Sequence, residues 1–242
     1  MTDEQPKQRK IAIVGTAEPH WRGAPYGDES WEVWSLGGNF RAIPRWSRWF
    51  ELHRPEDVCK GWANGDPQQE ATARRTYTEW LAEQDGSNVF MQSKWPEVPD
   101  ATVYPIDAIV KKFPNKYFTN SVSYMIAMAL AEGCSELGLW GVDMALSSEY
   151  SAQRPSVEFF IGIAVGMGVV LHLPPDTSLL KSRELYAYEE NSGFMEVVRA
   201  KEKEIEQRLA LAKHNKLEAT KGEAAMSACL EIVKFFGQNW EQ

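Results

Sequence analysis

The sequence has little of what several large classes of protein require. It contains three cysteines, Cys59, Cys134 and Cys229, which are widely spaced and form no metal-ligand pattern. Separate thiols of this kind predict neither a disulfide framework nor a zinc site, and they suit a reducing compartment. No apolar run approaches the roughly 20 residues of a membrane-spanning helix, and the polar first ten residues do not resemble a secretory signal. We therefore expect a cytoplasmic protein with no membrane partner.

The chain also lacks an excess of basic residues. Its 26 Lys and Arg residues are outnumbered by 34 Asp and Glu residues, which gives a net charge of −8. This balance argues against a broad surface for duplex DNA, which needs clustered Lys and Arg, but it leaves room for a small phosphate-binding pocket. With 242 residues, 43% of them hydrophobic, the chain is long enough for one large folded domain and a smaller appendage.

What the sequence does contain is an alternation of buried strands and helices. Residues 10–15, 31–36 and 137–142 are short apolar runs bounded by Gly or Asp, as is typical of strands buried on both faces. Residues 122–131 are apolar almost all round and predict a buried helix, and Pro155 suits the first turn of the next helix. The alternation predicts an α/β fold, with a Rossmann-like, mainly parallel sheet and helices on both faces.

The C-terminal quarter has a different character. Residues 196–223 mix acidic and basic side chains with one modest apolar face, and a second helical stretch follows to about residue 236. We predict a nucleotide-binding domain over residues 1–188 and a helical hairpin over residues 189–242. A narrow apolar stripe on a charged helix suits a partner helix, so we expect a homo-oligomer through these helices.

Polar residues that follow the predicted strands are the first candidates for a ligand site. In an open parallel sheet, ligands bind at the carboxyl ends of the strands, near the point where the strand order reverses. A helix start adds free N–H groups and a positive dipole end, which suit phosphate. We therefore expect one edge of the sheet to gather the nucleotide-binding candidates: Gly15, Thr16, Asn39, Asn120, Ser121 and Asp143.

Each candidate also has a structural interpretation. Gly15 could serve a tight turn, Asn39 could form a turn after two glycines, and Asn120 with Ser121 could simply cap a helix. The G-x-G-x-x-G fingerprint of dinucleotide-binding proteins is absent. Asp143 is the strongest candidate, because a carboxylate directly after a buried strand caps a helix, binds a ribose or metal, or performs chemistry.

His53 and Asp143 are the catalytic candidates. His53 is the one histidine at the end of a predicted strand, over residues 48–53, and an imidazole with a pKa near 6.5 can act as a base at neutral pH. A surface or structural role is the alternative for His53. Nearby, Trp46 and Trp49 lie among several arginines, and this cluster could stack on a base or sugar ring or pack inside the protein.

Three segments carry a family resemblance. They are residues 10–15 with residues 31–39, residues 119–143 with a Tyr-Met helix and a strand that ends in Gly-Val-Asp, and residues 171–180. Together they resemble the bacterial lipooligosaccharide sialyltransferases and the related 6-hydroxymethylpterin diphosphokinase-like proteins, and most of all phage-encoded relatives of that group. The resemblance implies a Rossmann-like transferase, glycosyltransferase-like in its reaction, with a nucleotide or nucleotide-activated sugar as its small-molecule ligand.

The resemblance also implies roles for individual residues. Asn39 and Asp143 would hold the base and ribose, whereas Asn120, Ser121 and Tyr150 would contact the phosphates. The chain departs from the sialyltransferases in two places, because Thr16-Ala17 replaces an Asn-Gly pattern and residues 149–154 contain no histidine where that family has its catalytic one.

These departures leave three hypotheses open. The first is a transferase with His53 or, as the weaker choice, Asp143 as its base. The second is a non-catalytic phage protein that binds nucleotides to sequester them or to regulate, which the missing histidine favours. The third is a diphosphokinase, which would need Mg²⁺ on Asp143 and a second carboxylate.

Overall fold

The structure is a computed structural model that describes residues 8–60, 62, 66–144, 148–182, 185, 186, 188 and 193–239. Of residues 148–151, 193–194 and 235–239 it describes the backbone only. The chain divides into two compact units, Met1–Leu180 and Lys181–Gln242. The first unit contains a sheet with its helices, and the second consists mainly of one long helix.

Within the described residues, the first unit contains a sheet of seven parallel strands in the order β5-β4-β3-β2-β1-β6-β7. The strands are Lys10–Val14 (β1), Trp31–Leu36 (β2), Arg48–Glu51 (β3), Val89–Met91 (β4), Thr102–Val103 (β5), Glu136–Trp140 (β6) and Val170–His172 (β7). The chain moves outward from β1 to β5 and then crosses to the other side of β1 with β6. Strand order therefore reverses between β1 and β6, where an open sheet offers its ligand crevice.

Side chains alternate along β1 between two separate cores. Ile11 and Ile13 point to one face of the sheet and Ala12 and Val14 to the other, and all four are fully buried. The first core is covered by three helices, Ile106–Lys112 (α2), Ser121–Ala131 (α3) and Ser148–Gly166 (α4). The second core is covered by Pro67–Ala82 (α1) together with loops rich in aromatic residues. The predicted α/β, Rossmann-like fold with helices on both faces is confirmed.

Tryptophans fill much of the second core. Trp49 is fully buried, contacts the Trp80 ring at 4.8 Å between centroids, and donates from Nε1 to Tyr77 Oη at 2.7 Å. Arg45 donates hydrogen bonds to four backbone carbonyls, those of Pro25, Tyr26, Asp28 and Trp31. The packing interpretation therefore holds for Trp49 and Arg45, whose polar groups are engaged inside the protein.

The second unit corrects the predicted hairpin. One continuous helix, Gly193–Asn239 (α5), spans 47 residues and runs through Gly222, where a hairpin would have to turn. A single glycine inside a helix costs only about 1 kcal/mol relative to alanine, and the flanking residues are good helix formers. The Lys221–Glu218 ion pair, at 2.8 Å, adds a contact on this turn. Gly222 therefore does not end the helix.

Two smaller expectations also change. Pro155 was expected in the first turn of a helix, but α4 begins at Ser148 and Pro155 lies inside it. A proline removes one helical hydrogen bond, yet the helix continues because Val157 and Phe160, both fully buried, anchor its next turns. The strand predicted over residues 48–53 ends at Glu51, so His53 lies in the loop after β3.

Among the parts of the chain that the structure describes, none of the helices is both long enough and apolar enough to cross a membrane.

Candidate functional site

A cleft of about 1150 Å³ lies at the carboxyl ends of the central strands. Loops that follow β1, β2, β3 and β6 form its walls, together with the start of α3. It therefore occupies the edge where the strand order reverses between β1 and β6. The cleft lining includes six of the predicted site residues: Gly15, Thr16, His53, Asn120, Ser121 and Asp143.

Two glycines form a tight backbone junction in the cleft. Gly15 N donates to Trp140 O at 2.8 Å, and Ala17 N donates to Gly141 O at 2.9 Å. A Cβ atom on Gly15 would lie 2.4 Å from Gly141 O, and Gly141 has a φ of +65°. Both positions therefore require glycine, because the loops after β1 and β6 approach each other by backbone alone.

Asn39 lies beside the cleft and is absent from its lining. Its side-chain Nδ2 donates to Thr16 O at 3.3 Å, and its own backbone O accepts from the amides of Ala42 and Ile43. Asn39 thus forms the turn after β2 and holds the Thr16 loop. A direct contact between Asn39 and a nucleotide stays a prediction.

The start of α3 faces the cleft, and Asn120 organises it. Asn120 Oδ1 accepts from Ser123 N at 2.9 Å, and Asn120 Nδ2 donates to Gln153 O at 3.0 Å. The Asn120 side chain is therefore the N-cap of the helix. The N–H groups of Ser121 and Val122 precede the first intrahelical hydrogen bonds, and both residues line the cleft at the positive end of the helix dipole.

His53 forms a pair with Glu51, a residue that the sequence analysis did not single out. Glu51 Oε1 lies 2.6 Å from His53 Nδ1 and accepts from His53 N at 3.0 Å. The His53 side chain is 56% exposed, whereas that of Glu51 is 2% exposed. Because the Glu51 carboxylate can only accept a hydrogen bond at His53 Nδ1, it favours the tautomer of His53 with a proton on Nδ1. Glu51 is the last residue of β3, and its position two residues before His53 was the one sequence signal that could have pointed to it.

Two buried neighbours of Glu51, Cys59 and Tyr77, have raised pKa values. Burial raises the pKa of the Cys59 thiol to about 12, and the Glu51 carboxylate adds to that rise. Burial also raises the pKa of Tyr77 well above its ordinary value, with the same carboxylate as the next cause. Glu51 therefore lies among buried residues, with its side chain 2% exposed, and contacts the imidazole of His53 from inside the protein.

The loop after β6 positions Asp143. The backbone amide of the next residue, Met144, donates to Ser178 Oγ at 2.9 Å in a buried contact. On the same side of the sheet, Asp176 Oδ2 pairs with His20 Nε2 at 2.7 Å. The polar residues after β7 thus hold the neighbouring loops, while Asp143 is half-buried in the cleft wall. The Tyr150 side chain lies outside the described residues, so its predicted phosphate contact stays a prediction.

The donor set does not fit the magnesium site of a diphosphokinase. Asp143 is the one carboxylate among the described residues that line the cleft. Over those same parts of the chain, no group of three or more His, Cys, Asp or Glu residues could hold a metal ion. A Mg²⁺ site at Asp143 would need further oxygen ligands, which the described lining does not supply as carboxylates.

A smaller pocket of about 410 Å³ adjoins the cleft. Leu52 and Tyr124 line both spaces, and Leu52 directly precedes His53. The rest of its lining consists of Gln92, Ser93, Tyr104 and Ile106, none of which is charged. The Tyr104 hydroxyl is engaged by Tyr124 O at 2.9 Å, which leaves the aromatic rings as walls.

Comparisons with known proteins are sparse. No known family profile and no curated protein matches the sequence. Among solved structures, the chain is similar to the sialyltransferase CstII from Campylobacter jejuni, determined in complex with a substrate analogue, CMP-3FNeuAc. The identity is 15%, the TM-score is 0.42, and the match covers 69% of this chain and 81% of that one. A similarity of this size assigns no residue role, and the relationships to phage proteins and to pterin diphosphokinases stay predictions.

Proposed function

We propose that this protein binds a nucleotide or a nucleotide-activated sugar in the cleft and transfers a group from it, as a glycosyltransferase does. One observation carries the proposal: five residues predicted to bind a nucleotide and the predicted base, His53, line a single cleft at the reversal point between β1 and β6. We also propose that the protein acts in the cytoplasm and that α5 joins copies of the chain.

The phosphates would lie at the start of α3. Backbone N–H groups and the positive dipole end favour anions there, and the Ser121 hydroxyl can donate a further hydrogen bond. Opposite this helix start, the Gly15–Gly141 junction supports a backbone surface without side chains, which lets a phosphate approach closely. The same donors would stabilise the charge that develops on a departing phosphate.

Asp143 would hold the ribose. A carboxylate can accept hydrogen bonds from both hydroxyls of a diol, and Asp143 lies in the loop just after β6, whose residues Leu137 and Leu139 are buried. The nucleobase would then lie toward the loop that contains Thr16, which the Asn39 side chain supports.

His53 would act as the base in the transfer step. The hydroxyl of an acceptor would give its proton to the Nε2 atom of His53, and its oxygen would bond to the anomeric carbon of the sugar. The bond from that carbon to the phosphate oxygen would break, and the nucleotide would leave with the electron pair. Glu51 would orient the imidazole and stabilise the imidazolium that forms. The uncharged pocket beside Leu52 would receive the acceptor.

The first test is a ligand screen followed by calorimetry. Thermal shift against nucleoside mono- and diphosphates and nucleotide sugars should identify a stabilising ligand. Asp143→Asn should then weaken that ligand roughly ten- to a hundredfold, which corresponds to about 1.5–3 kcal/mol for a lost charge-assisted hydrogen bond. Asp107→Asn, at an exposed carboxylate in α2, is the control and should bind like the wild type. Unchanged affinity in Asp143→Asn would show that this carboxylate is structural.

A second pair of variants isolates the phosphate contact. Ser121→Ala removes the hydroxyl and keeps the N–H, whereas Ser121→Pro also removes the N–H. Proline is tolerated at the first position of a helix, and Asn120 before it is already extended, with φ −162° and ψ 166°. Both variants should weaken phosphate-bearing ligands, Ser121→Pro more strongly, and leave free nucleosides nearly unaffected. Equal losses for nucleosides and nucleotides would contradict this placement of the phosphate.

Turnover separates a transferase from a protein that only binds nucleotides. His53→Gln should abolish release of the nucleotide from a nucleotide sugar and leave binding within about threefold. Glu51→Gln keeps a hydrogen-bond acceptor and should lower kcat more than it changes KM. Tight binding with no turnover in the wild type would identify a sequestering or regulatory protein instead.

A further inference from the structure

The long helix α5 carries a heptad stripe that the nucleotide site does not explain. Its members alternate in spacing between three and four residues: Val198, Glu202, Ile205, Leu209, Ala212, Lys216, Ala219, Glu223, Met226, Leu230 and Val233. The mean spacing is 3.5 residues, and 8 of these 11 positions are apolar. This is the pattern of a coiled-coil seam. Over 47 residues the helix extends about 70 Å.

The stripe is exposed along its length. The exposed fractions are 49% for Ile205, 52% for Leu209, 74% for Met226, 54% for Leu230 and 66% for Val233. Side chains of this size at regular spacing are normally buried against another helix. The stripe is therefore the face by which α5 can contact a further helix.

Charges inside the stripe decide which partner fits. In a parallel pair of identical helices, residues of the same number face each other, so Lys216 would meet Lys216 and Glu223 would meet Glu223. At the flank, Arg208 would also lie beside Lys213 of the second copy. Burying like charges opposite each other is unfavourable, so the sequence disfavours a parallel homodimer.

We infer that α5 pairs with α5 of a second copy as an antiparallel coiled coil centred near Lys221. In this register Leu209 meets Val233, and the small Ala212 meets the large Leu230. Lys216 packs over Met226 of the second copy and lies one layer from its Glu223. The charges of Lys216 and Glu223 therefore attract each other, whereas in the parallel pair each would face a like charge.

The flanking positions support the same register. Glu206 comes to lie opposite Lys234 of the second copy, and this pair occurs twice because the dimer is symmetric. Thr220 lies opposite Thr220 at the centre, with no charge to oppose the pairing. From Ile205 onward, the paired segment spans about 50 Å, long enough for a stable two-stranded coiled coil.

The first experiment measures the oligomeric state of the full chain by light scattering. The wild type should be a dimer, and Leu209→Asp and Leu230→Asp should shift it toward the monomer by at least tenfold in dissociation constant. Leu211→Asp is the matched control, because Leu211 is 61% exposed on the same helix but lies outside the stripe. A monomeric wild type, or equal loss of dimer in Leu209→Asp and Leu211→Asp, would overturn the inference.

The second experiment determines the orientation by disulfide formation. In a Cys229→Ser background, Thr220→Cys should cross-link two copies under mild oxidation, because residue 220 meets itself only in the antiparallel register. Ala212→Cys reports the parallel arrangement, in which residue 212 would meet itself. Cross-linking through Ala212→Cys, with none through Thr220→Cys, would show a parallel dimer and overturn the proposal.

Discussion

The two ends of the central sheet are both polar, but they differ in what their polar groups contact. At the amino ends, Arg9 pairs with Glu32 and Glu132, and Arg48 Nη1 lies 2.7 Å from Glu132 Oε1. At the carboxyl ends, residues from four loops and a helix start surround a cleft of about 1150 Å³. At the amino ends, charged side chains pair with one another, whereas at the carboxyl ends polar side chains and backbone groups also line a cleft.

This difference indicates which polar residues are candidates for function. A salt bridge between partly exposed side chains contributes little to ligand chemistry, because its charges are already neutralised. Hydrogen-bond donors that line a cleft, held by glycine junctions and a helix cap, are arranged for a ligand. The comparison predicts that variants at the amino ends change stability alone, whereas variants at the carboxyl ends change binding.

The largest effect is expected at the glycine junction. Gly15→Ala would place a Cβ atom 2.4 Å from Gly141 O, so the loops after β1 and β6 must separate. We expect a loss of about 1–3 kcal/mol in the free energy of unfolding, as for overpacked sites, together with loss of nucleotide binding. Chemical denaturation and calorimetry would measure both.

Gly162→Ala provides the control for that substitution. No atom lies within 4 Å of a Cβ built at Gly162, which is inside α4. Alanine should stabilise this helix by about 0.5–1 kcal/mol. If Gly15→Ala stabilised the protein as Gly162→Ala does, the loops after β1 and β6 would not approach each other closely at Gly15.

A smaller effect is expected at the amino ends of the strands. Glu132→Gln removes a carboxylate that pairs with both Arg9 and Arg48. Because these side chains are partly exposed, we expect a loss of about 1 kcal/mol or less in unfolding free energy. Nucleotide affinity should stay at the wild-type value, and a large drop in affinity would break the distinction between the two ends.

The smallest effect concerns acid stability. Burial tends to raise the pKa of Glu32, but the hydrogen bonds from Arg9 and Trp34 and the charges of Arg9 and Arg48 together outweigh it and hold that pKa below the ordinary 4.5. A lowered carboxyl pKa contributes stability that is present above about pH 4.5 and is lost as the pH falls through the folded value. Glu32→Gln should therefore flatten the decline of unfolding free energy below pH 4.5. If the unfolding free energy of Glu32→Gln declined below pH 4.5 as steeply as that of the wild type, the Arg9–Glu32 pair would not contribute to acid stability.

The sequence predicted the central strands and much of the cleft, because local patterns determine both. The β-branched run at β1 and the alternation at β2 mark buried strands, and residues after such strands share one edge of a parallel sheet. Asp143 could be selected on this basis, and Ser121 because it begins a predicted helix, before their cleft was visible.

The rest depends on contacts between distant segments. Glu51 resembles an ordinary strand residue until β3 brings His53 and the buried Tyr77 beside it. Whether α5 continues through Gly222 or turns there depends on small differences in helix energy, and the sequence pattern is compatible with both. Asn39 was selected as a ligand contact, but its contact with Thr16 appears only when the two loops meet.

The most direct test of the carboxyl-end cleft is a nitrogen-15 chemical-shift titration with the nucleoside mono- and diphosphates of the ligand screen. The account predicts saturable shifts of the Gly15, Ser121 and Gly141 amides, with the amides around Arg9 and Glu132 unchanged. Shifts confined to the amino ends of the strands, or none with any nucleotide of the set, would contradict it.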